Sequence, residues 1–234
     1  MNASNTPKSK KWYDTVFALL LALAMFLLFV SSSVFLTLAF RPLYYLDIKL
    51  LDIAETSGFE KEEIKANYDA LIDYNLPLSD GELVFPSDNM MSETAQIHFE
   101  EVKDIFDLFK VMALVLLPVC IAGIYYFYIK KRTDYLLYTG IVTVTLPVVV
   151  GSLIALNWQK VFILFHEIAF DNDYWIFDPY EDLVITILPD AFFMHCAIMI
   201  ISLVLLGGGA CTALYIRSKK NKPKTIEQQP TIDE

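Results

Sequence analysis

The chain has 234 residues, 56% of them hydrophobic, and a formal net charge of -10. So acidic a chain offers nucleic acid no electrostatic footing, which removes that class of partner. Its apolar residues gather in four long runs instead of recurring at amphipathic spacing, so the chain reads as an integral membrane protein.

The first run covers residues 16–40 and follows Lys8, Lys10 and Lys11. With Ser31-Ser32-Ser33 partway along, it has some features of a secretory signal. Its apolar character continues to Phe40, however, well past the ~7 to 15 residues of a signal core, and it reads as a retained spanning helix. Residues 41–107 follow as a long connection with structure of its own. Ser57-Gly58-Phe59-Glu60 has the capping-box pattern, and Ile64, Tyr68, Leu71 and Ile72 beyond it form an apolar helical stripe. Pro77 and Gly81 mark turns, and residues 81–86 have mixed strand and turn character that suggests a small hairpin.

Between Ser92 and Pro118 there is neither Gly nor Pro, so one helix is expected to carry His98 and continue unbroken into the second run, residues 108–128. Ten helical residues separate His98 from Leu108, about 15 Å, which puts the imidazole near the headgroup level on a rigid extension. The third run covers residues 136–155. After it, residues 158–170 form an interfacial or re-entrant helix with Phe162, His166 and Phe170 at four-residue spacing. Asp171-Asn172-Asp173 ends that helix, and Asp178-Pro179-Tyr180-Glu181 begins another that stops at Pro189. The fourth run is residues 191–216, where Gly207-Gly208-Gly209 allows close approach of a neighbour.

The architecture expected is therefore an all-α membrane protein: a four-helix transmembrane bundle forming a single polytopic domain. A small extracellular domain at 41–107 lies between the first two spans, and the interfacial or re-entrant helix lies in the second outer loop, 156–190. Each run meets the ~20 residues needed to cross a bilayer. Lys and Arg cluster before the first span, at Lys130-Lys131-Arg132 and in the tail 217–234, which makes that face cytoplasmic and both termini internal. The acidic residues fall on the other side, with 16 acidic against 5 basic in 41–107 and 7 against 1 in 156–190. Cys120, Cys196 and Cys211 all lie within the runs and read as packing residues, since an odd number at these spacings is no disulfide or metal framework.

All three histidines, His98, His166 and His195, fall on the outer side of this topology. His166-Glu167 suggests a zinc hydrolase, but the H-E-x-x-H motif needs a second histidine where Phe170 stands. No G-x-S-x-G elbow provides a serine nucleophile. Histidine acting as general acid or base beside aromatic walls remains, with Asp173 and Asp178 as orienting partners or simply as turn and cap residues. Two other readings stay open: a metal-dependent membrane hydrolase using His98, His166 and His195, and a non-catalytic membrane sensor or chaperone with an acidic outer domain.

Three patterns are similar to a known family. They are His98-Phe99-x-x-Val102-Lys103; then Phe165-His166-x-x-x-Phe170-x-Asn172-x-x-Trp175-x-x-Asp178-Pro179; then Asp182-Leu183-x-x-x-x-x-Pro189-x-x-Phe192-Phe193. Together with four spans and a sizeable first outer loop, they resemble the lipoprotein intramolecular transacylases, Lit, of bacterial cell membranes. The resemblance implies an acyltransferase of lipoprotein biosynthesis in Gram-positive bacteria. Such an enzyme moves the sn-2 acyl chain of a diacylglyceryl-cysteine lipoprotein to its own α-amino group, giving the lyso-form, with no cofactor and no metal. It implies that His98 and His166 are the essential pair. Asn172, Asp173, Trp175, Asp178, Phe165 and Phe170 become supporting or substrate-binding residues, and the partners are the lipoprotein N-terminus and membrane lipid.

Overall fold

The computed structural model describes residues 12–78 and 81–221. Lys8, Lys10, Lys11, Lys222 and Lys224, on which part of the charge argument rests, lie outside them. Among the described residues the chain is helical with no strand, in the order α1 (Trp12–Ala39), α2 (Pro42–Leu50), α3 (Ile53–Ser57), α4 (Lys61–Asn75), α5 (Glu93–Ile129), α6 (Asp134–Leu156), α7 (Trp158–Ala169), α8 (Val184–Ile187) and α9 (Asp190–Lys220). Helices α1, α5, α6 and α9 are each long and apolar enough to cross a membrane. This is a multi-pass membrane protein.

Within the bundle α1 packs against α5, α6 and α9, and α6 packs along α9. Apolar side chains find no hydrophobic advantage in each other over lipid, so close packing of small residues must hold such helices together. The α6–α9 seam has that form. A Cβ on Gly208 would come 2.3 Å from Thr143 Oγ1, and one on Gly140 would come 2.3 Å from Thr212 Oγ1. The polar residues in this seam satisfy themselves on their own helices, as Thr143 Oγ1 does by donating to Thr139 O at 2.6 Å.

One end of the bundle is closed by charge. Arg132, between α5 and α6, pairs with Asp14 of α1 at 3.0 Å and with Asp134 of α6 at 2.5 Å, Tyr126 donates to Asp14 at 2.9 Å, and Thr133 meets Ser218 of α9 at 2.9 Å. The start of α1, the α5–α6 link and the end of α9 thus share one end, and every long connection lies at the other.

At that other end Tyr44, Ile48, Ile53, Ile64, Tyr68 and Phe99 pack with Val184, Ile187 and Phe192 into a second core. It draws on both long connections, not on 41–107 alone. Tyr44 is fully buried, stacks on Tyr68 with ring centres 3.8 Å apart, and donates its hydroxyl to Ile187 O at 2.6 Å. Lys103 and Lys110 of α5 reach back to cap α4. Lys110 Nζ donates to the carbonyls of Asn75 at 2.7 Å and Pro77 at 3.0 Å, and Lys103 donates to Pro77 O at 2.9 Å. Cations at a helix C-terminus satisfy its orphan carbonyls and complement its dipole.

Four local expectations change. α2 and α3 have no counterpart among the elements read from sequence. A helix does follow Ser57-Gly58-Phe59-Glu60, but Ser57 closes α3 by donating to Ile53 O at 2.6 Å, Gly58 turns the chain at φ 79°, and Glu60 is the N-cap of α4. Residues 81–86 form no hairpin. Leu83 is buried, and just beyond it the polar groups of Ser87 pair with Asn67 and Glu63 of α4, which takes the place of a ladder. The helix expected from Asp178 shrinks to α8, because Val184 N–H, which a longer helix would direct to the carbonyl four residues earlier, bonds to Met90 O instead.

Candidate active site: two enclosed imidazoles

α5 begins at Ser92, whose hydroxyl accepts from Ala95 N–H at 3.3 Å, and it is continuous to Ile129. Its first fifteen residues, 93–107, are polar or amphipathic and precede the apolar run, so they form a stalk of about 22 Å. His98 sits on this stalk with 5% of its surface exposed. α7 begins after Asn157, whose side chain caps Lys160 N–H at 3.0 Å while its extended backbone breaks the path of α6. That break separates α7 from α6, and on α7 His166 is buried, 8% exposed.

The two imidazoles face each other with ring centres 6.0 Å apart. Phe170 lies 4.7 Å from His98 and 5.7 Å from His166, Phe177 lies 5.4 Å from His98, and Phe162 and Trp175 lie 4.3 Å and 4.8 Å from His166. His166 is held in one tautomer. Its Nδ1 is 2.7 Å from Phe162 O, and because a carbonyl only accepts, Nδ1 carries the proton and Nε2 keeps a free lone pair. His98 Nδ1 is occluded and has no partner.

Both rings favour the neutral form. Burial, then repulsion from His166, pulls His98 down to about 4. Burial also lowers His166, against a smaller raising effect from the Phe162 carbonyl. An uncharged imidazole with a free Nε2 can accept a proton, and its uncharged neighbour can donate one hydrogen bond.

The loop after α7 closes the site. Asn172 donates to Glu101 Oε1 at 2.7 Å, accepts Tyr174 N–H at 3.0 Å, and receives Trp175 Nε1–H on its carbonyl at 3.1 Å. This fixes the Trp175 ring beside His166. Asp182, 4% exposed, ties the far end of the loop to the outer tip of the stalk by accepting Ser92 N–H at 2.8 Å and Asp178 N–H at 3.1 Å.

Of the residues singled out from sequence, His98, His166, Phe165, Phe170, Asn172 and Trp175 come together here. Phe165 stands at the rim, half exposed, 5.2 Å from His166. Asp173 and Asp178 are exposed, and neither meets an imidazole; Asp178 caps Tyr180 N–H at 2.9 Å. His195 stands apart from the pair, with Nδ1 on the carboxylate of buried Asp47 at 2.8 Å. No three His, Cys, Asp or Glu side chains gather as a metal site among the described residues. Glu101 and the Phe162 carbonyl escape sequence reading. Glu101's one signal is its position three residues after His98.

Fold and site together define a polytopic membrane protein with two imidazoles enclosed at one end of its helix bundle. The model of the family described as lipoprotein intramolecular transacylase Lit matches residues 19–193. The chain belongs to this family, whose members are acyltransferases. The structure of membrane-integral Lit from Bacillus cereus is similar throughout, with a TM-score of 0.85 and 35% identity over 89% of this chain and 96% of that one. Two B. cereus Lit structures with one histidine replaced, by arginine or by alanine, each have a TM-score of 0.79 at 34% identity. A protein from Aquifex aeolicus is 32% identical over 111 residues, and the chain spans about half the length of that curated relative.

Proposed function

We propose that this chain moves the sn-2 acyl chain of a diacylglyceryl-cysteine lipoprotein onto the α-amino group of the same cysteine, giving the lyso-form. The observation that carries this reading is the enclosed imidazole pair. A ring nitrogen lies about 1.2 Å from its ring centre and a hydrogen bond adds about 2.8 Å, so two imidazoles can share one reacting group at centre separations up to ~8 Å. The separation of 6.0 Å lies within that reach.

The chemistry assigns unequal roles. An α-ammonium of pKa ~8 must lose a proton before it can attack, and His166 Nε2 is the acceptor whose tautomer is set. The neutral amine forms the N–C bond at the sn-2 ester carbon. His98 donates a ring N–H to the oxyanion that develops there. As the C–O bond to glycerol breaks, His166 returns its proton to the leaving oxygen and the newly acylated nitrogen sheds a second proton to solvent, so the three ammonium protons end as one amide N–H, one glycerol O–H and one released proton, with no enzyme nucleophile. Donor and acceptor belong to one molecule, so holding them together supplies much of the rate.

The substrate's chains stay in lipid while its cysteine reaches the imidazoles. α7 suits this boundary, since Leu164, Phe165 and Ile168 are exposed on its outer surface while His166 turns inward. We place the site on the extracellular face of the cell membrane with both termini cytoplasmic, α7 at the interface, and the lipoprotein N-terminus and membrane lipid as partners. The metal-hydrolase reading calls for His195 beside His98 and His166, whereas among the described residues no three His, Cys, Asp or Glu side chains gather as a metal site. In cells lacking any other such enzyme, His98→Ala and His166→Ala variants that still accumulate in the membrane should yield no lyso-form lipoprotein. Normal lyso-lipoprotein mass spectra from either variant refute the assignment.

A further inference from the structure

Three residues beyond His98, Glu101 occupies the same face of α5, one turn nearer the bundle. Its two oxygens differ. Oε1 accepts from Asn172 Nδ2 at 2.7 Å, while Oε2 is occluded and has no hydrogen-bond partner. The carboxylate is joined to the imidazole site from both sides: by α5 to His98, and through Asn172 and Trp175 to His166. A shielded acceptor oxygen left without a donor costs stability, more so on a charged group. The nearby cations of α5 are committed elsewhere, Lys103 and Lys110 both holding the end of α4 and pairing with Asp107.

We propose that Glu101 receives the α-ammonium of the substrate cysteine, an assignment that rests on the transacylase reading above. The ammonium has three protons. One goes to Glu101 Oε2 and one to His166 Nε2. Once His166 has taken its proton, the amine keeps its bond to Glu101 and turns its lone pair to the ester carbon. The product amide has one N–H and no charge, so the ion pair that held the substrate is lost on completion. Glu101 therefore selects free-amine lipoproteins over N-acylated ones and favours release of the product.

The test uses the full-length protein in phospholipid nanodiscs and two unreactive probes, diacylglyceryl-cysteine peptides with an sn-2 ether, one with a free N-terminus and one N-acetylated. Wild type should bind the free amine about tenfold or more tightly, the scale of a charge-assisted hydrogen bond. Glu101→Gln keeps an oxygen for Asn172 and loses the charge, so it should bind both probes equally and show a raised KM for the ester substrate. A Glu101→Gln variant that keeps the preference, or a wild type that has none, overturns the role of Glu101; the second comparison needs no substitution and so no assumption about folding. The sn-2 ester peptide, run on the same wild-type preparation, separates the two assignments. If no N-acyl product forms, the transacylase reading itself falls. If product forms and the preference survives in Glu101→Gln, Glu101 alone is misassigned.

Discussion

Acid should stop this protein later than an ordinary histidine site. At pH 5.5 a histidine with the usual pKa of 6.5 is about nine-tenths protonated, whereas one at 4 is only about 3% protonated. Burial and the facing ring hold His98 near 4, and burial lowers His166. His166 must be neutral to accept the ammonium proton, and His98 must be neutral or it repels the protonated His166. The acid limb of kcat should therefore lie below pH 6.5, since both imidazoles are held below the ordinary histidine value. Stability has the same sign. Between 4 and 6.5 the unfolded chain binds the proton that folded His98 refuses, so stability falls as pH drops through that window and gains nothing from His98 above it. The assay is single-turnover formation of N-acyl product in vesicles from pH 4.5 to 8, beside ring-15N histidine spectra of the same sample. With three histidines in the chain, His195→Gln and His98→Gln together complete the spectral assignment. An acid limb at or above 6.5, with His98 titrating along it, refutes the electrostatic argument, as does a His166 spectrum with the proton on Nε2.

Further outcomes follow from the packing. Asp182→Ala orphans the N–H groups of Ser92 and Asp178 and should cost about 3 kcal/mol, seen as a lower Tm in detergent together with reduced activity. His195→Ala strips buried Asp47 of its partner and should cost about 2 to 3 kcal/mol, yet leave acyl transfer per folded molecule intact; selective loss of turnover would bring His195 into the site. Gly208→Val drives a side chain into Thr143 and should separate α6 from α9, measured as loss of monodisperse protein on extraction. A cysteine at Asp88 should react with impermeant maleimide added outside whole cells, and one at Lys131 should not; the reverse pattern inverts the topology.

The spans were legible because each long apolar run decides its own fate in lipid whatever surrounds it. The stalk of α5 was legible from an uninterrupted helical sequence, and the aromatic enclosure of His166 from four-residue spacing on one short helix. What sequence reading missed depends on long-range partners. α8 is short because Met90 O takes the Val184 N–H that a longer helix would use. Residues 81–86 lack a hairpin because α4 side chains satisfy the neighbouring Ser87. Asp173 and Asp178 attract attention by charge, yet a turn residue's direction is set by the loop and both point to solvent. Glu101 is one of many acidic residues in the outer segments until Asn172, 71 residues away, closes on one of its oxygens.

The central assignment, an acyl chain passed within one substrate molecule between two imidazoles, is tested most directly with purified protein and a diacylglyceryl-cysteine peptide deuterated only in its sn-2 chain. Tandem mass spectrometry of the product should show unchanged total mass, with the deuterated chain on the cysteine nitrogen, for wild type and for neither His98→Ala nor His166→Ala. Deuterated free fatty acid in place of the N-acyl peptide, or full transfer by either histidine variant, contradicts the account.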